Sequence, residues 1–278
     1  MNRQSDGGAE AALYAGASPG QRAFFETYPA TQCFAVVSWG CAATSWLAKH
    51  LNAHPEIFCV HASNSFWQQL GGAPALDGVD YMKLLACQGY AHRAAGDVHG
   101  LQVEMIPRVE SAFGERFGCA VVVREPMARL ASQVALFQRL SYSRGWNVDY
   151  VADFTDGRVV LPDDSYQSKL FVHGVNMLNN ILRERTVAPV YRCEDLTSNA
   201  ERLGGFVDQI TRGRVGWDED WARRAVGGER LNSHVTPGSA EREMDFDDWQ
   251  AAVIVACVEP TAWDAYETLG YERPAMVC

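Results

Sequence analysis

Lysine is nearly missing: Lys49, Lys83 and Lys169 are the only three among 24 basic residues, and the net charge is −10. A chain this acidic is disfavoured as a general nucleic-acid binder, although a local basic pocket stays compatible with it. The excess of arginine over lysine reads as a genome-composition bias and not as chemistry. No apolar run approaches the ~20 residues of a membrane span. The N-terminus lacks a basic start followed by an apolar core, so no signal peptide is expected and the cytoplasm is the expected location. The eight cysteines include no C-x-x-C pair. Several lie in apolar runs, as small buried hydrophobes do in a reducing compartment, and a structural zinc site is not expected. No lysine follows a Gly-x-x-x-x-Gly run, which disfavours an ATP-hydrolysing reading.

What is present centres on Cys33 to Leu47. A β-branched apolar run, Phe34 to Val37, turns through Gly40, Cys41, Ala42 and Ala43. The hydroxyls Thr44 and Ser45 then open a helical pattern at Trp46. Strand, small-residue loop and helix start make an anion cradle. Inward-pointing N–H groups and the positive end of the helix dipole would receive a phosphate there. Small side chains let the backbone approach it.

At 278 residues, with 47% apolar content, the chain can bury a large core. Residues 1–28 read as a mobile arm or short helix, and 29–278 as the main domain. Strands are expected at Phe34–Val37, Ile57–Val60, Val98–Met105, Cys119–Val123 and Val187–Arg192. Helices are expected between them and as one segment from Phe246 to about Leu269. Residues 141–165 read as a surface excursion, and 213–245 as irregular. The alternation argues an α/β fold, three-layered around a central parallel sheet. Ligands in such sheets lie beyond the carboxyl ends of the strands. The cradle, His61, Glu104 and Arg124 fall at those ends.

Three stretches together resemble the sulfotransferases that use 3′-phosphoadenosine 5′-phosphosulfate. Gly40 to Leu47, with His54-Pro55 downstream, is similar to the family's 5′-phosphosulfate loop. Val121-Val-Val-Arg124-Glu-Pro126 through Ser132 is similar to its 3′-phosphate element. Tyr191-Arg-Cys-Glu194-Asp195-Leu196 is similar to a Tyr-Glu-Asp-Leu stretch, and Leu269-Gly270-Tyr271 resembles the ends of some bacterial members. The resemblance implies a P-loop-like fold and transfer of a sulfuryl group to a hydroxyl or amine of a small molecule, with no metal. It places the donor, or its product 3′-phosphoadenosine 5′-phosphate, on Gly40, Cys41, Ala42, Ala43, Thr44, Ser45, Trp46, Arg124 and Ser132. Eight residues are about two helical turns, so Arg124 and Ser132 can share one face. The family also has membrane-anchored members, and no such anchor is expected here.

The chain departs from the family at three places. Cys41 stands where the family has a Lys or Arg that meets the leaving phosphate, a contact whose loss costs roughly 2–4 kcal/mol of transition-state stabilisation. Arg108, Arg124, Arg144 and Arg230 are candidates to replace that cation. Ser63, ahead of Phe66-Trp67, stands where one branch has a catalytic glutamate. Glu104-Met-Ile-Pro107 stands where that branch has Glu-Lys-Ser. The candidate bases are His61, suited to neutral pH, and Glu104, expected late in a buried strand. His99 is expected at the far end of that strand, and His54 as a fixture of a helix exit. Cys41, at a helix N-terminus, is itself a candidate nucleophile with a depressed pKa and His61 as its base. Phe66, Trp67, Tyr142, Trp146 and Tyr150 are candidate pocket aromatics. Two other readings stay open: the same scaffold used for another group transfer through Cys41, and a non-catalytic nucleotide- or partner-binding protein.

Overall fold

The computed structural model describes residues 31–38, 41–62, 76–144, 159, 161–163, 165–228 and 246–277. The expected arm at 1–28, Gly40, Ser63, Phe66, Trp67, Trp146, Tyr150 and Arg230 lie outside those residues, as do the side chains of Tyr142 and Arg144. Five strands, β1 (Gln32–Val37), β2 (Ile57–His61), β3 (Ala94–Val98), β4 (Phe117–Val123) and β5 (Val190–Arg192), form one sheet in the order β2-β3-β1-β4-β5. The fold is α/β, with this parallel sheet at its centre and helices flanking it, consistent with a three-layer α/β fold. β1 and β4 are buried at every position, as their unbroken apolar sequences require. Among the described residues no helix is long and apolar enough to cross a membrane.

The helices are α1 (Thr44–Asn52), α2 (Gly78–Gln88), α3 (Ile106–Phe113), α4 (Pro126–Arg144), α5 (Tyr166–Asn176), α6 (Ile181–Glu184), α7 (Cys193–Ser198), α8 (Ala200–Thr211), α9 (Glu219–Val226), α10 (Asp248–Cys257) and α11 (Pro260–Thr268). The chain divides into two compact units. One lies within Met1–Val37, Thr44–Ala120 and Asp195–Gly228; the other lies within Ser38–Ala43, Val121–Glu194 and Glu229–Cys278.

In the first unit β3 pairs in parallel with both β1 and β2, with Phe34 opposite Gly96 and His61 opposite Val98. The absent side chain of Gly96 is a packing requirement: a Cβ there would lie 2.2 Å from the Phe34 carbonyl oxygen. Gly118 of β4 meets α8 just as closely, with the Ile210 carbonyl 2.0 Å from where its Cβ would be. Two long side chains tie helices back to the chain: Trp221 Nε1 donates to the His50 carbonyl at 3.1 Å, and Arg212 Nε to the Phe117 carbonyl at 3.0 Å.

In the second unit α4 begins under a cap made by its own preceding residue. The Glu125 carboxylate accepts from Met127 N at 3.0 Å and from Ala128 N at 2.5 Å. The expected single C-terminal helix is instead α10 and α11. Glu259 takes an extended ψ of 138°, which proline imposes on the residue before it, and Pro260 occupies the first turn of α11. Asn179 pins that break, donating to the Cys257 carbonyl and accepting from Glu259 N, both at 2.8 Å.

The third strand also differs from expectation. It is Ala94–Val98, and Val98–Met105 is not a strand. His99 adopts a left-handed φ of 71°, which turns the chain out of the sheet after Val98.

Candidate functional site

In the second unit the loop after β1 passes through left-handed backbone at Cys41 (φ 57°) and Ala43 (φ 55°) before α1 begins at Thr44. Such conformations cost a non-glycine residue energy and are held only where the surroundings fix them. Arg124, directly after β4, supplies one such restraint: its Nη1 donates to the Cys41 carbonyl at 3.2 Å. The Ser132 hydroxyl, on α4, is hydrogen-bonded to the Cys41 side chain and is buried. Thus the Cys41 loop, Arg124 and Ser132, widely separated in sequence, meet at one place. Arg124 is half-buried and uses one donor on the loop.

Tyr191 to Glu194 and Leu269 to Tyr271 belong to the same unit. Glu194 Oε1 accepts from Glu125 N at 2.9 Å, next to Arg124, while its Oε2 accepts from the Tyr271 hydroxyl at 2.7 Å. The Arg192 guanidinium lies 4.5 Å from the Tyr271 ring centroid and donates to the Leu269 carbonyl at 3.4 Å. Glu194 therefore anchors the backbone that presents Arg124, and the C-terminal Leu269-Gly270-Tyr271 anchors Arg192 and Glu194 in turn.

Cys41 is not the low-pKa thiol expected from a helix N-terminus. Burial raises its pKa, and the opposing influences of Arg129, Ser132 and Arg124 do not offset this. Of the arginines considered as replacements for the missing loop cation, Arg124 reaches Cys41. Arg108 instead pairs with Asp77 at 2.5 Å in the first unit.

Arg129 escaped the sequence reading. It is 1% exposed, in α4 three residues before Ser132. Its Nη1 reaches the Tyr266 hydroxyl at 3.5 Å, and Tyr266 donates in turn to the Leu178 carbonyl at 3.1 Å. Among the described residues its Nε and Nη2 have no hydrogen-bond partner. Leu130, Ser132 and Gln133 are buried too. Residue 129 falls on that inward face, and this helical position is the signal that would have found it.

In the first unit His61 is the last residue of β2. Its Nε2 lies 3.1 Å from the Thr44 hydroxyl. The ring stacks against His99 at a centroid distance of 6.3 Å, so His99 is a neighbour of His61 and not remote from it. The residue is exposed. Desolvation, then the like charge of His99, hold its pKa below the ordinary histidine value, so the ring is neutral at pH 7.

Asp97, unnoticed in the sequence, fixes the chain where it leaves His61. The buried carboxylate accepts from Ala62 N at 3.0 Å and from the Tyr81 hydroxyl. Glu104 lies in a 3-10 turn, Val103–Met105, and is exposed, contrary to the buried strand position expected for it. His54 does fix the exit of α1, its Nδ1 accepting from Glu56 N at 3.1 Å.

Ala42, Thr44 and Trp46 are buried, and Ala43 and Ser45 are half-buried. Neither a family model nor a curated protein matches the chain.

Proposed function

We propose that the chain is a sulfotransferase-like enzyme of P-loop type. On this reading it takes a sulfuryl group from 3′-phosphoadenosine 5′-phosphosulfate and passes it to a hydroxyl or amine of a small molecule. The observation that carries the reading is the meeting of Cys41, Arg124 and Ser132 in one unit, with Glu194 and Tyr271 bracing Arg124's backbone. A guanidinium, a hydroxyl and a small-residue loop in left-handed backbone suit an anionic nucleotide terminus. The donor supplies the activated sulfuryl group; the chain's part is to hold the phosphates, neutralise the leaving charge and remove the acceptor's proton.

Arg124 and Ser132 are assigned to the 3′-phosphate, and the loop from Gly40 to Trp46 to the 5′ end. Arg124 also supplies positive charge beside Cys41, where the loop has none of its own. His61 is assigned as the base: it is neutral at pH 7, and Thr44 orients its Nε2. The raised thiol pKa counts against Cys41 as the nucleophile.

The test is sulfuryl transfer by wild type, Cys41→Ser and Cys41→Lys with the labelled donor and a panel of phenols, alcohols and amines. Transfer by the wild type that survives in Cys41→Ser and is kept or raised in Cys41→Lys is expected. Loss of activity in both folded variants would assign the chemistry to the cysteine and end the sulfotransferase reading.

A further inference from the structure

We infer that Arg129 is a second anion-binding residue, taking two oxygens of the donor's 5′-phosphate on its Nε and Nη2. This rests on the sulfotransferase reading above and deepens it. Nε and Nη2 form one edge of a guanidinium, the edge that matches a pair of phosphate or carboxylate oxygens. In Arg129 that edge is without a hydrogen-bond partner among the described residues, whereas Nη1 is engaged by Tyr266. A buried charged donor left unmet is costly, so it is ordinarily retained where something meets it.

The position agrees with this role. Arg129 and Ser132 are three apart in α4 and so share a helix face. Ser132 bonds to the Cys41 side chain, and the charge of Arg129 is felt at Cys41 more strongly than that of Arg124. Cys41 holds the place of the family's loop cation. In this chain the cation comes from helix α4 and not from the loop. Arg129 is also felt by Glu184, itself fully buried, which balances part of its charge. Tyr266 and Cys41 are the other titratable groups that face it.

The experiment titrates wild type, Arg129→Lys and Glu184→Gln with two probes, 3′-phosphoadenosine 5′-phosphate and adenosine 3′-monophosphate. Arg129→Lys keeps a charge but loses the paired donors. It is expected to weaken the bisphosphate at least about tenfold while leaving the 3′-monophosphate within about twofold. Glu184→Gln removes the balancing charge and is expected to tighten the bisphosphate alone, which keeps the test decisive if Arg129→Lys does not fold. Unchanged bisphosphate affinity in the variants, or an equal loss for both probes, overturns the assignment and marks Arg129 as a structural partner of Glu184. Absence of bisphosphate binding by the wild type overturns the sulfotransferase reading itself, and this assignment with it.

Discussion

A neutral imidazole serves as a base through a nitrogen whose lone pair is free, and with Nε2 engaged at the Thr44 hydroxyl the nitrogen left for the acceptor's proton in His61 is Nδ1. Desolvation keeps the ring uncharged well below the usual histidine range, with its pKa pushed down to about 4. The acid limb of the kcat profile should therefore lie below 6.5, the ordinary histidine value. His61→Ala should lower kcat about a hundredfold or more while sparing nucleotide affinity. Glu104→Gln, on an exposed turn, should leave kcat within about twofold. An acid limb at or above the ordinary value, or wild-type kcat in His61→Ala, would remove His61 from the mechanism. His61 was legible in the sequence because it directly follows an apolar strand. Asp97 was not, because a charged residue within a strand shows its burial only once the partners around it are known; Arg129 carried a signal only in its helical position, on the face of α4 shared with Leu130 and Ser132.

The elements depend on close backbone approaches as much as on apolar side chains. Gly118 lets α8 lie against β4 with the Ile210 carbonyl where a Cβ would be. Gly118→Ala should cost about 2 kcal/mol or more, measured as a lower denaturant midpoint, because backbone and not a flexible side chain has to move. An unchanged midpoint would mean that α8 is free to shift. The continuous runs of β1 and β4 were readable as buried strands. β3 was not: Ala94-Ala-Gly-Asp-Val98 has one β-branched residue, and its close packing against Phe34 selects small side chains. The apolar pattern beyond Val98 drew the expected strand too far, since a left-handed histidine leaves no trace in hydrophobic periodicity. The break at Pro260 was available in the sequence, from the rule that the residue before proline avoids helix.

For the whole molecule, pH should act through its desolvated imidazoles. Desolvation lowers the pKa of His50, His54, His61 and His173. As pH falls through 6.5 the unfolded chain takes up protons that the folded chain declines, so stability is full above that value and is lost below it. The melting temperature should be lower at about pH 5.5 than at about pH 7.5; a flat or rising trend would contradict the desolvation of these rings. The α/β class was legible because alternating strands and helices are a property of the entire chain. The assignment of function draws instead on stretches far apart in sequence, whose meeting only the fold could reveal. The most direct measurement is calorimetric titration of wild type and Arg124→Ala with 3′-phosphoadenosine 5′-phosphate. The account predicts one molecule bound per wild-type chain, and affinity lost or weakened at least about a hundredfold in a variant that melts as the wild type does. Absence of binding to the wild type, or equal affinity in the two proteins, would contradict it.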